Sequence, residues 1–162
     1  ILGLSEHAVG LSYVCMGIGT VLASIYGNRV SKKLGPGLCM ILGFLLCSAG
    51  WGLLAIAPAN RFGVVAFGMM LILFAVGGVF IFINFLALRQ AVTPEPLLGR
   101  ITSTMRWLTL LPAGPGALIG GWLGEYWGLR HALGFSCICA LLLAIFAWRN
   151  QTIRSIKSLP QL

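Results

Sequence analysis

The chain has 162 residues, 59% of them hydrophobic and only 9% charged, with a mean hydropathy of +0.98. Soluble domains carry roughly a quarter charged residues, and a soluble chain of this size leaves much of its surface in water, so the composition excludes an ordinary water-soluble fold. The net charge of +8 is not a nucleic-acid footprint, because the basic residues sit in short connectors between apolar runs rather than on one soluble face.

Charges fence off five apolar stretches, and these predict membrane helices over about 8–28, 37–57, 62–88, 103–124 and 130–148, followed by a basic tail at 149–162. The expected fold class is all-α, a polytopic membrane helix bundle. A barrel is excluded because runs such as LCMILGFLLCSAGWGLLAI do not alternate apolar with polar residues.

The first stretch carries small residues at four-residue spacing, Cys15, Gly19, Ala23 and Gly27. Such stripes mark close helix–helix faces in lipid. Pro58-Ala59-Asn60 predicts a tight turn between the second and third stretches. The third holds Gly77-Gly78 near its middle and Asn84 near one end, Asn84 being a candidate for substrate or for a neighbouring helix. In the connector RQAVTPEPLLGR, Thr93 and Pro94 predict the start of a short interfacial helix and Gly99 its end. The fourth stretch has Pro112 and Pro115, which free carbonyls and bend a helix, and a second small-residue stripe at Gly116, Gly120 and Gly124. Gly128-Leu129-Arg130 predicts another tight turn.

The cysteines Cys15, Cys39, Cys47, Cys137 and Cys139 all lie inside apolar runs, without a histidine or carboxylate in the same run, so they read as small buried hydrophobes and no metal site is expected. The only carboxylates, Glu6, Glu95 and Glu125, fall in connectors or at interfaces. No intramembrane acid pair, HExxH motif or serine–histidine pair on facing spans is present, so neither an enzyme nor a cofactor is expected.

Nine of the eleven basic residues fall in one set of connectors: Arg29, Lys32 and Lys33; Arg89, Arg100 and Arg106; Arg149, Arg154 and Lys157. Only Arg61 and Arg130 fall in the other. The basic side is expected to be cytoplasmic, which puts the C-terminus inside and the N-terminus outside. The chain opens on ILGLSEHAVGL rather than methionine, and this predicts a fragment preceded by further helices.

With these spans and connectors, the chain resembles the C-terminal half of a major facilitator superfamily permease, as helices eight to twelve of twelve. From Leu88 to Leu133 it is similar to the drug:proton antiporter-3 type exporters (the enterobactin and macrolide efflux group), where a PxxxxGR connector precedes a helix ending GGxLxExxGLR. Pro94, Gly99, Arg100, Gly120, Gly121, Glu125, Gly128 and Arg130 match. SIYGNRVSKKLG resembles the superfamily's GxxxDRxGRR signature through Arg29, Lys32 and Lys33, with Asn28 where an aspartate is usual and Ser24 and Ser31 where glycines are.

The resemblance implies secondary-active efflux of a small amphipathic compound by alternating access, in the plasma membrane (the inner membrane of a bacterium). The partners it implies are lipid, a missing N-terminal half, a small-molecule substrate and protons, with no nucleic acid. It places the first, third and fourth spans at the translocation cavity, with Tyr13, Met69, Met70, Phe74, Asn84 and Trp107 as cavity candidates, and the second and fifth against lipid. Asn28, Arg29, Lys32, Lys33 and Arg100 are the expected inner-gate connectors. Gly19, Ala23, Gly77, Gly78, Pro112, Pro115, Gly116 and Gly120 are the expected packing and bending positions. The alternative function is a non-transporting membrane scaffold or assembly protein.

Overall fold

The computed structural model describes residues 6–58 and 60–156, and among these every regular element is helical. Helix α1 runs Glu6–Leu34, α2 Pro36–Ile56 and α3 Arg61–Val92. A 3-10 turn at Glu95–Leu97 leads into α4 (Leu98–Leu110), then α5 (Ala113–Tyr126), α6 (Leu129–Arg149) and the short α7 (Gln151–Arg154). This is an all-α membrane helix bundle. Within the described residues, Gly10–Leu34, Pro36–Ile56, Phe62–Val92 and Leu129–Arg149 are long and apolar enough to cross a membrane.

The helix boundaries follow from backbone chemistry. Gly35 (φ 86°) turns the chain from α1 into α2, whose first residue is Pro36, and Gly128 (φ 89°) does the same before α6. Both are left-handed conformations that glycine adopts without steric cost. The Asn60 side chain accepts a hydrogen bond from the Phe62 amide at 3.0 Å and caps α3. Asn150 caps α7 in the same way, through Thr152 at 3.0 Å.

Three features depart from the sequence reading. The stretch at 103–124 is divided into two helices at Leu111–Pro112, where the backbone stays in the right-handed helical region and the i→i−4 hydrogen bonds resume with Gly116 to Pro112 at 2.9 Å. Pro112 and Pro115 remove the amide donors that would serve the Leu108 and Leu111 carbonyls, and neither α4 (13 residues) nor α5 (14 residues) alone has a crossing length. Thr93 ends α3, its hydroxyl donating to the Arg89 carbonyl at 2.7 Å, and Gly99 lies inside α4 instead of terminating a separate helix. Of the basic tail, residues 150–156 fold back as α7 and its flanks, whereas 157–162 lie outside the described residues.

Lateral order is set by small residues. Along α1 and α3, which run parallel, Cys15 faces Gly68, Gly19 faces Ile72, Gly27 faces Phe80 and Ser31 faces Asn84, always at the same separation of 53 residues. A Cβ on Gly19 would stand 3.1 Å from the Ile72 carbonyl oxygen, so the backbones approach as closely as glycine permits. Ala23 belongs to the same seam and is buried with Cys39 and Phe80. The antiparallel α2 and α3 meet at Gly43 and Gly77, where a Cβ on either would come within 2.7 Å of the other's carbonyl oxygen. α3 continues unbroken through Gly77-Gly78. α6 packs on α2, and α5 packs on α6.

Candidate functional site

Side chains of α2, α3, α5 and α6 converge on one cleft. Phe44, Cys47 and Trp51 of α2, Phe74 and Ile81 of α3, and Phe135 and Cys139 of α6 surround a cleft of about 430 Å³, closed on one side by Gly116, Ile119 and Gly120 of α5. Clefts of several hundred cubic ångströms with mostly apolar walls suit small-molecule ligands. Trp51 and Phe74 meet edge to face, with ring centroids 5.6 Å apart at 70°, the arrangement favoured by the aromatic quadrupole. No charged side chain lines the space. The one hydroxyl there, Ser136, donates back to the Ala132 carbonyl at 3.1 Å.

The cleft exists because α5 stands away from α2 and α3. A Cβ added at Gly116, Gly120, Gly121 or Gly124 would meet nothing within 4 Å. The second glycine stripe therefore faces open space, not a neighbouring helix, because the break at Leu111–Pro112 turns α5 toward α6. Gly78 likewise has open space before it, while its neighbour Gly77 makes the crossing with α2.

Of the expected cavity residues, only Phe74 reaches this cleft. Met70 is buried (4% exposed), its backbone against Gly50 of α2, and so belongs to the interhelical core. Met69 lies with Ser12 and Cys15 in a separate groove between α1 and α3. Tyr13 is exposed on α1, and Trp107 is exposed on α4 beside Arg106 and Leu110. Trp51, Cys47, Phe135 and Cys139 were missed because their helices were expected to face lipid. Their four-residue spacing, Cys47 to Trp51 and Phe135 to Cys139, was the available signal. α2 is in fact central, packing on α1, α3, α6 and α7.

Asn84 is 2% exposed and anchors a polar node. Its side-chain oxygen accepts from the Ser31 hydroxyl of α1, its amide donates to the Phe80 carbonyl at 2.7 Å, and the fully buried Cys39 of α2 lies alongside. Asn28, Arg29, Lys32 and Lys33 occupy the last turns of α1 and are exposed. Asn28 is internal to the helix and does not cap it. Arg29 lies over the Tyr26 ring at 5.9 Å. Arg100 is exposed in the first turn of α4, where its carbonyl accepts from Thr104 at 3.0 Å. Toward the other end, the Ser48 hydroxyl donates to the Cys137 carbonyl at 3.0 Å, and Arg130 donates to the Ala57 carbonyl at 2.8 Å, clasping α6 to the end of α2.

Several long apolar helices, joined by short polar turns and held by small-residue contacts, define a multi-pass integral membrane protein. The Major Facilitator Superfamily profile matches residues 1–160, and the chain belongs to that family. It is 31% identical over 150 residues to the uncharacterized MFS-type transporter YceJ of Bacillus subtilis (strain 168), an alignment covering 93% of this chain and 37% of the relative. The chain thus spans well under half the length of the relative it matches. No solved structure matches.

Proposed function

We propose that this chain is the C-terminal part of a secondary-active exporter of the plasma membrane, which moves a small amphipathic compound by alternating access and keeps its C-terminus in the cytoplasm. Family membership supports transmembrane transport as the class of activity. The observation that carries the substrate reading is the uncharged cleft with the Trp51–Phe74 pair, which suits an apolar ligand or a lipophilic cation against the aromatic faces and offers no cationic partner to an anion. The drug:proton antiporter-3 resemblance at Pro94, Gly99, Arg100 and Glu125 points the same way. Among the described residues, the four helices long enough to cross a membrane hold no carboxylate, so in this reading the proton-coupling acid is either Glu125 of α5 or a residue of the other half of the transporter.

The test uses the full-length transporter in an efflux-deficient host. Trp51→Ala and Phe74→Ala each remove an aromatic contact of about 1 kcal/mol, and together they lower export of lipophilic dyes and macrolides about tenfold or more at unchanged membrane expression. Full export by the double variant removes this cleft from the pathway. The 162 residues expressed alone leave dye accumulation unchanged.

A further inference from the structure

Lys32 and Lys33 close α1, Arg149 closes α6 and Arg154 closes α7. The helix ends that carry these four cations belong to segments that all pack on α2. Only Gly35 separates α1 from α2, and the C-terminal segment lies on the first turn of α2. There the Gly37 amide donates to the Ile156 carbonyl at 3.5 Å, and the Ile153 carbonyl sits so close over Gly37 that no Cβ fits between them. Backbone carbonyls of the tail thus stand where Gly35 provides no side-chain cap.

All four cationic side chains are exposed. Arg154 lies over the Trp148 ring at 5.8 Å, which joins a cation to an aromatic of the type that settles at headgroup depth. None of the three carboxylates lies on α2, α6, α7 or the last turn of α1; Glu95, in the turn before α4, is the one at this end of the bundle. Among the described residues, no carboxylate lies on the helix ends that carry this charge.

We propose that the last turn of α1, the start of α2 and the docked α7 form a binding site for the headgroup of an anionic phospholipid such as phosphatidylglycerol, with Lys32, Lys33, Arg149 and Arg154 supplying the charge that holds its phosphate. Arginine provides paired donors matched to phosphate oxygens, and lysine a mobile point charge. The docked tail is part of the site, since α7 carries Arg154 and fixes it beside α2. Occupation of the site does not depend on transport.

The experiment uses the purified full-length protein in neutral detergent, titrated with phosphatidylglycerol, phosphatidylcholine or soluble glycerol phosphate. Bound lipid is read by native mass spectrometry and the thermal unfolding midpoint is followed in parallel. Phosphatidylglycerol binds and raises the midpoint, less so at high salt, and the other two do neither. Replacing Lys32, Lys33, Arg149 and Arg154 together by glutamine weakens phosphatidylglycerol binding at least about tenfold, each cation being worth roughly fivefold near a lipid surface. Gly37→Leu, which displaces the tail, weakens it by a smaller factor, and a chain ending at Asn150 gives the same answer if that variant fails to fold. Equal binding of the two lipids, or full binding by the quadruple variant, overturns the proposal. Equal stabilisation by glycerol phosphate also overturns it and assigns the charges to a small soluble anion.

Discussion

The hydroxyl of Ser31 donates to the side-chain oxygen of Asn84, 53 residues further along the chain, and the bond pins the end of α1 to α3. Asn84 is buried, donates its amide to the Phe80 carbonyl of its own helix and lies beside Cys39 of α2, and seating α1 adds the Ser31 donor to its side-chain oxygen. Ser31→Ala is expected to lower stability by about 0.6 kcal/mol, the usual size of an interhelical hydrogen bond in lipid. Asn84→Leu is expected to cost more, because it adds bulk at a packed seam. Thermal unfolding of the full-length protein in detergent checks both. A neutral Asn84→Leu would mean that the node contributes nothing to the seam.

The Gly43–Gly77 crossing separates two kinds of glycine. Either one replaced by alanine forces a Cβ against backbone, and about 1–3 kcal/mol of destabilisation is expected from such overpacking. Gly78→Ala, Gly116→Ala and Gly120→Ala, each opening on free space, are expected to be near neutral. Parallel melting curves of the five variants decide it, and a uniform loss across all five would contradict the packing described.

Arg130 is expected to matter through Ala57. Its guanidinium donates to a carbonyl at the end of α2, where the helix leaves acceptors unserved. Arg130→Ala should cost about 1.5–3 kcal/mol, the range for a hydrogen bond with a charged partner, and Arg130→Lys should recover part of it. If lysine and alanine melt alike while both fall below wild type, the loss comes from the guanidinium geometry and not the charge.

Orientation is open to a labelling experiment. In a cysteine-free background, a single cysteine at Asn60 should react with an impermeant thiol reagent on intact cells, and one at Ser155 should not, because the sequence reading assigns nine of the eleven basic residues to the connectors on the Ser155 side. The opposite pattern would reverse the topology.

The long apolar helices were legible because hydropathy and fencing charges act locally, and the stripe from Cys15 to Gly27 was legible because four-residue spacing puts residues on one helix face. What that face meets was not legible. The stripe at Gly116 and Gly120 has the same spacing and opens on empty space, since the direction of α5 depends on the Leu111–Pro112 break and its contact with α6. The cleft was hidden for a related reason: Trp51, Phe74 and Phe135 come together only once three helices are placed, and a family-level expectation had sent two of those helices to the lipid. Met70 and Met69 are adjacent in sequence yet lie in the core and in a groove, a difference of helical phase that composition does not carry.

The constant spacing between α1 and α3 also has a consequence for biosynthesis. The two helices are parallel, so α2 must cross the membrane and return the chain before their faces can meet. Until residue 84 has entered the bilayer, Ser31 lacks the acceptor it uses in the finished fold, and Gly19 and Ala23 lack the α3 face they pack on. Helix α1 is therefore inserted early and seated late, and its small-residue face waits through the synthesis of more than fifty residues for the surface it fits.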